Sequence, residues 1–546
     1  MVRQLKFFQP ELGDREIVFP QGRLLGGSSA LNGLAFVATS KSNVDAWAAL
    51  GNPGWEWSTV SKYFKKSYTL TRPSEAAVKH LSLDYIDDNV RGTDGPLHLS
   101  FPDEPDNVWA KAWVDTLTGL GFPMSGDPFS GQAYGGYVNA ETIDPATRQR
   151  SYSANAYLQP AKTRQNLTVI TGALVEKIIL DNSNSNEVIA TGVQYTKDGE
   201  TKIVEAHKEV IISAGSFNSP RLLELSGIGN PDILKQHNVP VVIDNPNVGE
   251  NLQNHLMCGM SFEVVEGIKT LDSLARQSPD TLAAASEAYA KGGGPFASSG
   301  TYASALLPFP NNNTAEGRRD LQQLLSSTTI QPKQNTETAA FVQAHQAFVQ
   351  SVLSSPVEGT ACYISFPGYA SFNPDGSMAP PPQGPENYFT IAVLLAHPLS
   401  RGSVHISSAS PSAPVRIDPR YLSHSLDLEV IAHHVRFIEN RIIHAEPLKG
   451  LLKSGGKRST GAPASLEEIE VAKDYVRRAG LGAHHPTGSC SMMPREKGGV
   501  VDANLRVYGC RNLHVCDASI IPITPGANPQ ASVYAVAERA ADLLKQ

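Results

Sequence analysis

The chain has 546 residues, of which 41% are hydrophobic and 18% charged, and a formal net charge of −7. Such a length exceeds one ordinary core and points to two large intertwined domains, and the globular balance excludes wholesale disorder. No basic field is available to attract nucleic acid or anionic lipid, and no apolar run is long enough to span a bilayer.

In chain order, Met1-Val2-Arg3-Gln4-Leu5-Lys6 carries no apolar core of a secretory leader. The stretch to about Tyr68 opens with a Gly- and Ser-rich loop and continues into a tryptophan-rich segment, Asp45-Ala46-Trp47 to Trp55-Glu56-Trp57. After Gly95-Pro96, residues 97–100 read as a strand, and 107–120, with apolar positions three and four apart, as a helix. Across 166–194, two short apolar strands flank the polar turn Asn182-Ser183-Asn184-Ser185. With a third strand at 202–204 they make a small antiparallel layer. Residues 208–214 read as a buried strand, and a helix is expected to open near Ser219-Pro220 and run through Leu225.

Between about 265 and 385 the texture changes to Ser/Ala-rich helical stretches, broken by Gly292-Gly293-Gly294-Pro295 and the run Pro380-Pro381-Pro382. Loop-rich segments of this kind are expected to face a substrate. From about Asn387 strands and helices return, and a long helix is expected over 529–544. The five cysteines are odd in number and form no Cys-x-x-Cys pair, which argues against a disulfide scaffold or a zinc site. Cys510 and Cys516 are read as two buried free thiols, a pairing across a short turn being the alternative. The sequons at Asn166 and Asn312 are weak signals at this length.

Three motifs carry chemistry. The first is Gly22-Arg23-Leu24-Leu25-Gly26-Gly27-Ser28-Ser29-Ala30-Leu31-Asn32-Gly33. Its paired glycines allow close approach of the backbone to an anion, although taken alone the loop reads as only a tight turn. The second, Ser213-Ala214-Gly215-Ser216-Phe217-Asn218-Ser219-Pro220, joins a buried strand to a helix. The third begins at His484-His485-Pro486-Thr487-Gly488-Ser489-Cys490. It continues through Val515-Cys516-Asp517-Ala518-Ser519 to Thr524-Pro525-Gly526-Ala527-Asn528-Pro529.

Together and in this order the motifs resemble the glucose–methanol–choline family of flavoprotein oxidoreductases. The 22–33 loop is similar to the family's first signature and 215–229 to its second, and His485 stands at the active-site histidine of the His-x-x-Gly-[Thr/Ser]-Cys motif. Asn528 stands at the partner position, which is a histidine in some members and an asparagine in others. Connecting pieces such as Val248-Gly249-Glu250-Asn251-Leu252 extend the likeness over nearly the whole chain. Family members begin with a strand, a Gly-x-Gly-x-x-Gly turn, a helix and an acidic residue on the adenosine ribose. No Gly-x-Gly-x-x-Gly occurs here, and the first signature starts at Gly22. The expectation is a chain lacking that βαβ unit of roughly thirty residues or more, through loss of an upstream coding segment or as a shortened paralogue.

The resemblance implies an α/β protein. A Rossmann-like FAD-binding domain with a central parallel sheet, incomplete at its N-terminus, is joined to a substrate domain with a large antiparallel sheet and helices. The division expected is 1–256 for the N-terminal FAD-binding part, 257–386 for the substrate part and 387–546 for the C-terminal part that carries the histidine and asparagine. The implied cofactor is FAD, met by Gly26, Gly27, Ser28, Asn32 and Ala35, by Val175 near the adenine, by Asp517 and Ala518 beside the ribityl chain and diphosphate, and by Asn528 and Pro529. The implied reaction oxidises the CH–OH group of a small-molecule alcohol, with His485 as base and Asn528 holding the substrate oxygen. Asn528 is also a natural N-cap for the last helix, and Asp517 also reads as a turn-forming carboxylate. Two other functions stay open: a lyase or cyclase that uses His485 as general acid–base on the same scaffold, and a shortened paralogue that binds no flavin. Neither nucleic acid nor membrane is expected as a partner, and secretion is left open.

Overall fold

The computed structural model describes residues 2–102, 107–132, 134–183, 187–300, 303–327 and 339–545, side chains being described from residue 8 and over 303–326 and 340–545 in the last two stretches. Among these residues no helix is long and apolar enough to cross a membrane. Two layers build the molecule. In the first, Val210–Ile212 pairs in parallel with Leu513–Val515, with Val210 opposite Leu513 and Ile212 opposite Val515. Beside this pair lies the small antiparallel layer read from the sequence, ordered Glu200–Glu205, Ile189–Lys197, Ala173–Asp181. Asn184 and Ser185 of its polar turn lie outside the described residues.

The second layer is a six-stranded antiparallel sheet in the order Leu481–Gly482, Leu256–Glu263, Tyr388–Leu395, Ala361–Phe366, Ala303–Leu307, Gly135–Val138. Successive side chains point to opposite faces, so register decides what each face presents. One face, bearing Phe389, Ile391, Val393 and Tyr363, is fully buried. The helix Val108–Gly119 packs there: Trp109 stacks on Phe389 with ring centroids 4.4 Å apart. The helix Ser425–Asn440 covers the rest, its His434 satisfied by the Thr360 and Tyr363 hydroxyls at 2.8 and 2.7 Å. His434 is thus a core histidine with both ring nitrogens occupied.

Two helix boundaries differ from the sequence reading. The helix expected to open near Pro220 begins at Gly215, which leaves Pro220 inside Gly215–Leu225. A proline there lacks the amide that would bond the carbonyl four residues earlier. That carbonyl, Ser216 O, accepts the hydroxyl of Ser489 instead, so a distant motif repairs the helix. The last helix is Gln530–Leu543; Pro529 rather than Asn528 occupies its cap position, and no side chain caps it. The cysteines are free, and Cys516 is partly exposed where a buried thiol was expected.

Candidate active site

The segment 481–487 runs antiparallel to 251–257 and extends the edge of the large sheet. Gln253 N donates to Thr487 O at 3.0 Å, Thr487 N to Gln253 O at 2.9 Å and Ala483 N to His255 O at 2.9 Å. This pairing sets His485 beside His255. His484 takes φ +62, and its ring turns away to meet Phe19 edge-on at 5.2 Å. His485 N donates to Asn254 Oδ1 at 2.7 Å. Gly488 has φ +89, and a Cβ there would meet Asn251 O at 2.4 Å, so only glycine lets the segment turn under its neighbour.

Donors and acceptors around the two histidines match in one way only. His255 Nε2 lies 2.8 Å from Pro525 O and 3.1 Å from Ala396 O, and carbonyls only accept. The proton of His255 therefore sits on Nε2, and its Nδ1 is bare. His255 Nδ1 is 2.8 Å from His485 Nδ1, so the latter carries the proton and donates it. His485 Nε2 then holds a lone pair, and Asn528 Nδ2 lies 3.3 Å from it as donor. The carbonyls thus dictate, through two rings, which nitrogen of His485 is basic.

His255 is fully enclosed, and burial lowers its pKa to about 4 against the partial opposition of its two carbonyl partners. Burial also pushes His485 well below its ordinary value, with His255 and His484 adding to the effect. His485 keeps some exposed surface, but the dense protein around the ring penalises the imidazolium. Both rings are neutral at pH 7.

The other expected site residues fall into separate groups. Gly26 and Gly27, with φ +91 and +54, shape the loop into the short helical turn Gly27–Ala30. Ser28 Oγ accepts from Gly22 N at 3.2 Å, and Asn32 Oδ1 from Arg150 Nη1 at 2.6 Å, so both engage their own surroundings. Ala35 is buried in a two-residue strand opposite Glu141. Val175 is half-buried in Ala173–Asp181, opposite Tyr195. Asp517 joins the two layers of motif: its carboxylate accepts from Gly215 N at 2.9 Å, from Ser519 N at 2.8 Å and from the Ser219 hydroxyl. Ala518 O accepts from Gly488 N at 3.3 Å. Asn528 is released from capping by the late start of the last helix, and its side chain turns to His485. His255 was missed in the sequence. The signal lay three residues beyond Val248-Gly249-Glu250-Asn251-Leu252, in a lone histidine whose partner is 230 positions away.

Comparison with known proteins places this geometry. Residues 10–257 and 398–537 match the two models of the GMC oxidoreductase family. The GMC oxidoreductase family protein Mala s 12 of Malassezia sympodialis is 34% identical, over 98% of this chain and 81% of its own length. An FAD-dependent oxidoreductase from Chaetomium thermophilum has a TM-score of 0.87 at 26% identity, covering 99% of this chain and 89% of that one. A fungal aryl-alcohol oxidase gives a TM-score of 0.81 at 25% identity, over 99% of this chain and 89% of its own. The chain belongs to the GMC oxidoreductase family.

Proposed function

We propose that this chain is an FAD-dependent oxidoreductase that oxidises the CH–OH group of an organic alcohol, with His485 Nε2 taking the hydroxyl proton and Asn528 holding the oxygen. The observation that carries the reading is the fixed tautomer of His485, which presents a lone pair on Nε2 beside an amide donor at 3.3 Å. The likeness to an aryl-alcohol oxidase supports the same class of donor. We propose with it the division 1–256, 257–386 and 387–546, the middle part contributing the strands Ala303–Leu307 and Ala361–Phe366 to the large sheet.

The residues fit the cofactor. Asn528 Oδ1 is buried with no partner among the described residues. A Cβ added at Gly27 or Gly215 would meet nothing within 4 Å, so the backbone at both is open to close approach. The Asp517 carboxylate has filled three of its about four acceptor positions. On this reading Gly26, Gly27, Ser28, Asn32, Ala35, Val175, Asp517, Ala518, Asn528 and Pro529 face the cofactor. When bound, FAD supplies hydride-accepting chemistry. The chain's own part is positional and protic: Asn528 orients the hydroxyl, His485 Nε2 removes its proton, and His255 Nδ1 keeps the opposite nitrogen of the ring protonated.

The test is an absorption spectrum of the purified chain with FAD, followed by anaerobic addition of alcohols. Flavin bleaching with formation of aldehyde or ketone is expected; an isomerised product with unchanged flavin would overturn the oxidation in favour of acid–base chemistry alone. Two more results follow from the geometry. His255→Asn is expected to lower kcat about tenfold to a hundredfold, the scale seen when an outer partner of a functional histidine is lost, with flavin content unchanged. A base works when neutral, and His485 is held well below 6.5. The acid limb of kcat/KM is therefore expected below pH 6.5, with a plateau through pH 7. A limb centred at or above 6.5 contradicts the assignment.

A further inference from the structure

The strand pairing that sets His485 beside His255 carries an irregularity at that spot. Gln253 faces Thr487 and His255 faces Ala483, so four residue steps on one strand run against two on the other. His484, His485 and Pro486 form the resulting bulge, and bulges of this kind re-aim side chains. His484 takes φ +62 there, a conformation that a residue bearing a Cβ adopts against resistance. Pro486 has no amide, and its carbonyl accepts the Ser216 hydroxyl at 2.7 Å. The bulge takes the His485 amide out of the ladder.

Asn254 stands opposite the bulge, and its side chain takes the place of the missing strand bond. It is buried, and its Oδ1 accepts from His485 N at 2.7 Å. A backbone amide only donates, so the oxygen of Asn254 must face it and Nδ2 must point away. That Nδ2 donates to the hydroxyl of Tyr421, which is buried as well. Gln9 holds the Tyr421 backbone, its Oε1 accepting from Tyr421 N at 3.2 Å. A Cβ at Gly482 would strike both the Tyr421 hydroxyl and Asn254 Nδ2, so the pair lies against the strand only because glycine stands there. A buried line thus runs from Tyr421 through Asn254 to the backbone of His485, separate from the line through His255 to its ring. The titratable groups that bear on the ring are His255 and His484. Both are neutral at pH 7, and Asn254 and Asn528 carry no charge.

We propose that Asn254 is a positioning residue for His485, that Tyr421 orients its amide, and that an uncharged acceptor at this place keeps the ring a neutral base. The proposal rests on His485 as the base. Holding its amide fixes the bulge, and with it the direction in which Nε2 presents its lone pair. A carboxylate in place of the amide would accept the same bond, but it would also stabilise the imidazolium. The lone pair would then be occupied by a proton up to a higher pH. Asparagine keeps the bond and omits the charge.

Two measurements on the FAD-loaded full chain test it. Deuterium exchange at the imidazole Cε1, resolved to single residues by mass spectrometry over a pH series, reports the protonation of His485 whatever the protein oxidises. Steady-state kinetics with an alcohol that bleaches the flavin reports the reaction. Asn254→Asp is expected to raise the exchange midpoint of His485, and the acid limb of kcat/KM with it, by about one pH unit. Above that limb its kcat is expected to stay within about threefold of wild type, because the bond to the His485 amide survives. Asn254→Leu removes the acceptor and is expected to lower kcat about tenfold to a hundredfold, with KM changed by less than about threefold. Tyr421→Phe is expected to lower kcat about threefold to tenfold and to leave the midpoint in place. An unmoved midpoint in Asn254→Asp, or full kcat in Asn254→Leu, would overturn the proposal. Should Asn254→Leu fail to fold, the midpoint of Asn254→Asp still decides, and wild-type kcat in Tyr421→Phe would remove Tyr421 from the line. A midpoint that moves as expected in a protein that oxidises no alcohol would keep the contact and sink the oxidation.

Discussion

Replacing His485 with alanine is expected to lower kcat/KM for alcohol oxidation about a hundredfold to ten-thousandfold, while bound FAD stays in place. The range is that of a lost general base; orientation by Asn528 survives. Retention of FAD follows from the contacts. The side chain of His485 bonds to His255 and Asn528, and neither the 22–33 loop nor Asp517 leans on it. His485→Gln keeps the bulk and serves as the control for folding. Steady-state kinetics with flavin absorbance decides the matter. Full activity in either variant removes His485 from the proton transfer, and loss of flavin would mean that the ring also holds the cofactor's surroundings together.

The second large effect is on stability. Glu224 is fully buried, and its carboxylate accepts from His405 Nδ1 at 2.7 Å and from Ile406 N at 2.7 Å. His405 Nε2 meets Glu250 at 3.0 Å. Burial alone lowers the histidine's pKa, but the two glutamates outweigh it and carry it up to about 9. Glu224→Ala leaves His405 with Glu250 as its remaining carboxylate and strands the buried Ile406 amide, and is expected to cost about 1–3 kcal/mol. Urea denaturation measures it, and a loss under 1 kcal/mol would contradict this account of the cluster. Since the folded pKa lies above the unfolded one, the contribution is complete below pH 6.5 and fades as pH rises through 9. Wild-type protein is accordingly expected to lose stability across that window, and Glu224→Ala to lose less of it.

Much of the site was legible because it is carried by short motifs. His485, Asn528 and Asp517 were singled out through the resemblance their motifs carry, and the structure brings His485 and Asn528 together; the small antiparallel layer was read from two apolar strands round a polar turn. What stayed hidden depends on pairing across long distances. Tyr388–Leu395 is apolar on both sides, and such a run reads simply as a buried strand. Only register separates the residues under the helices from those on the opposite face. Pro220 read as a helix start because proline favours the first turn. The hydroxyl that lets it sit deeper comes from Ser489, 273 positions away from the carbonyl it bonds. That Asn528 does not cap the last helix likewise follows from where that helix starts, a matter of one or two residues that local signals do not fix.

The line of hydrogen bonds that sets the tautomer of His485 has a consequence for folding. It joins His255 to Ala396, His485 and Pro525 over separations of 141, 230 and 270 residues. Closing chain segments of that length carries an entropy cost that only the assembled core can offset. The fixed tautomer of His485 is therefore a property of the complete tertiary structure, absent from any single strand, helix or half-formed intermediate. A chain still emerging or refolding carries both histidines and none of the order that fixes their protons.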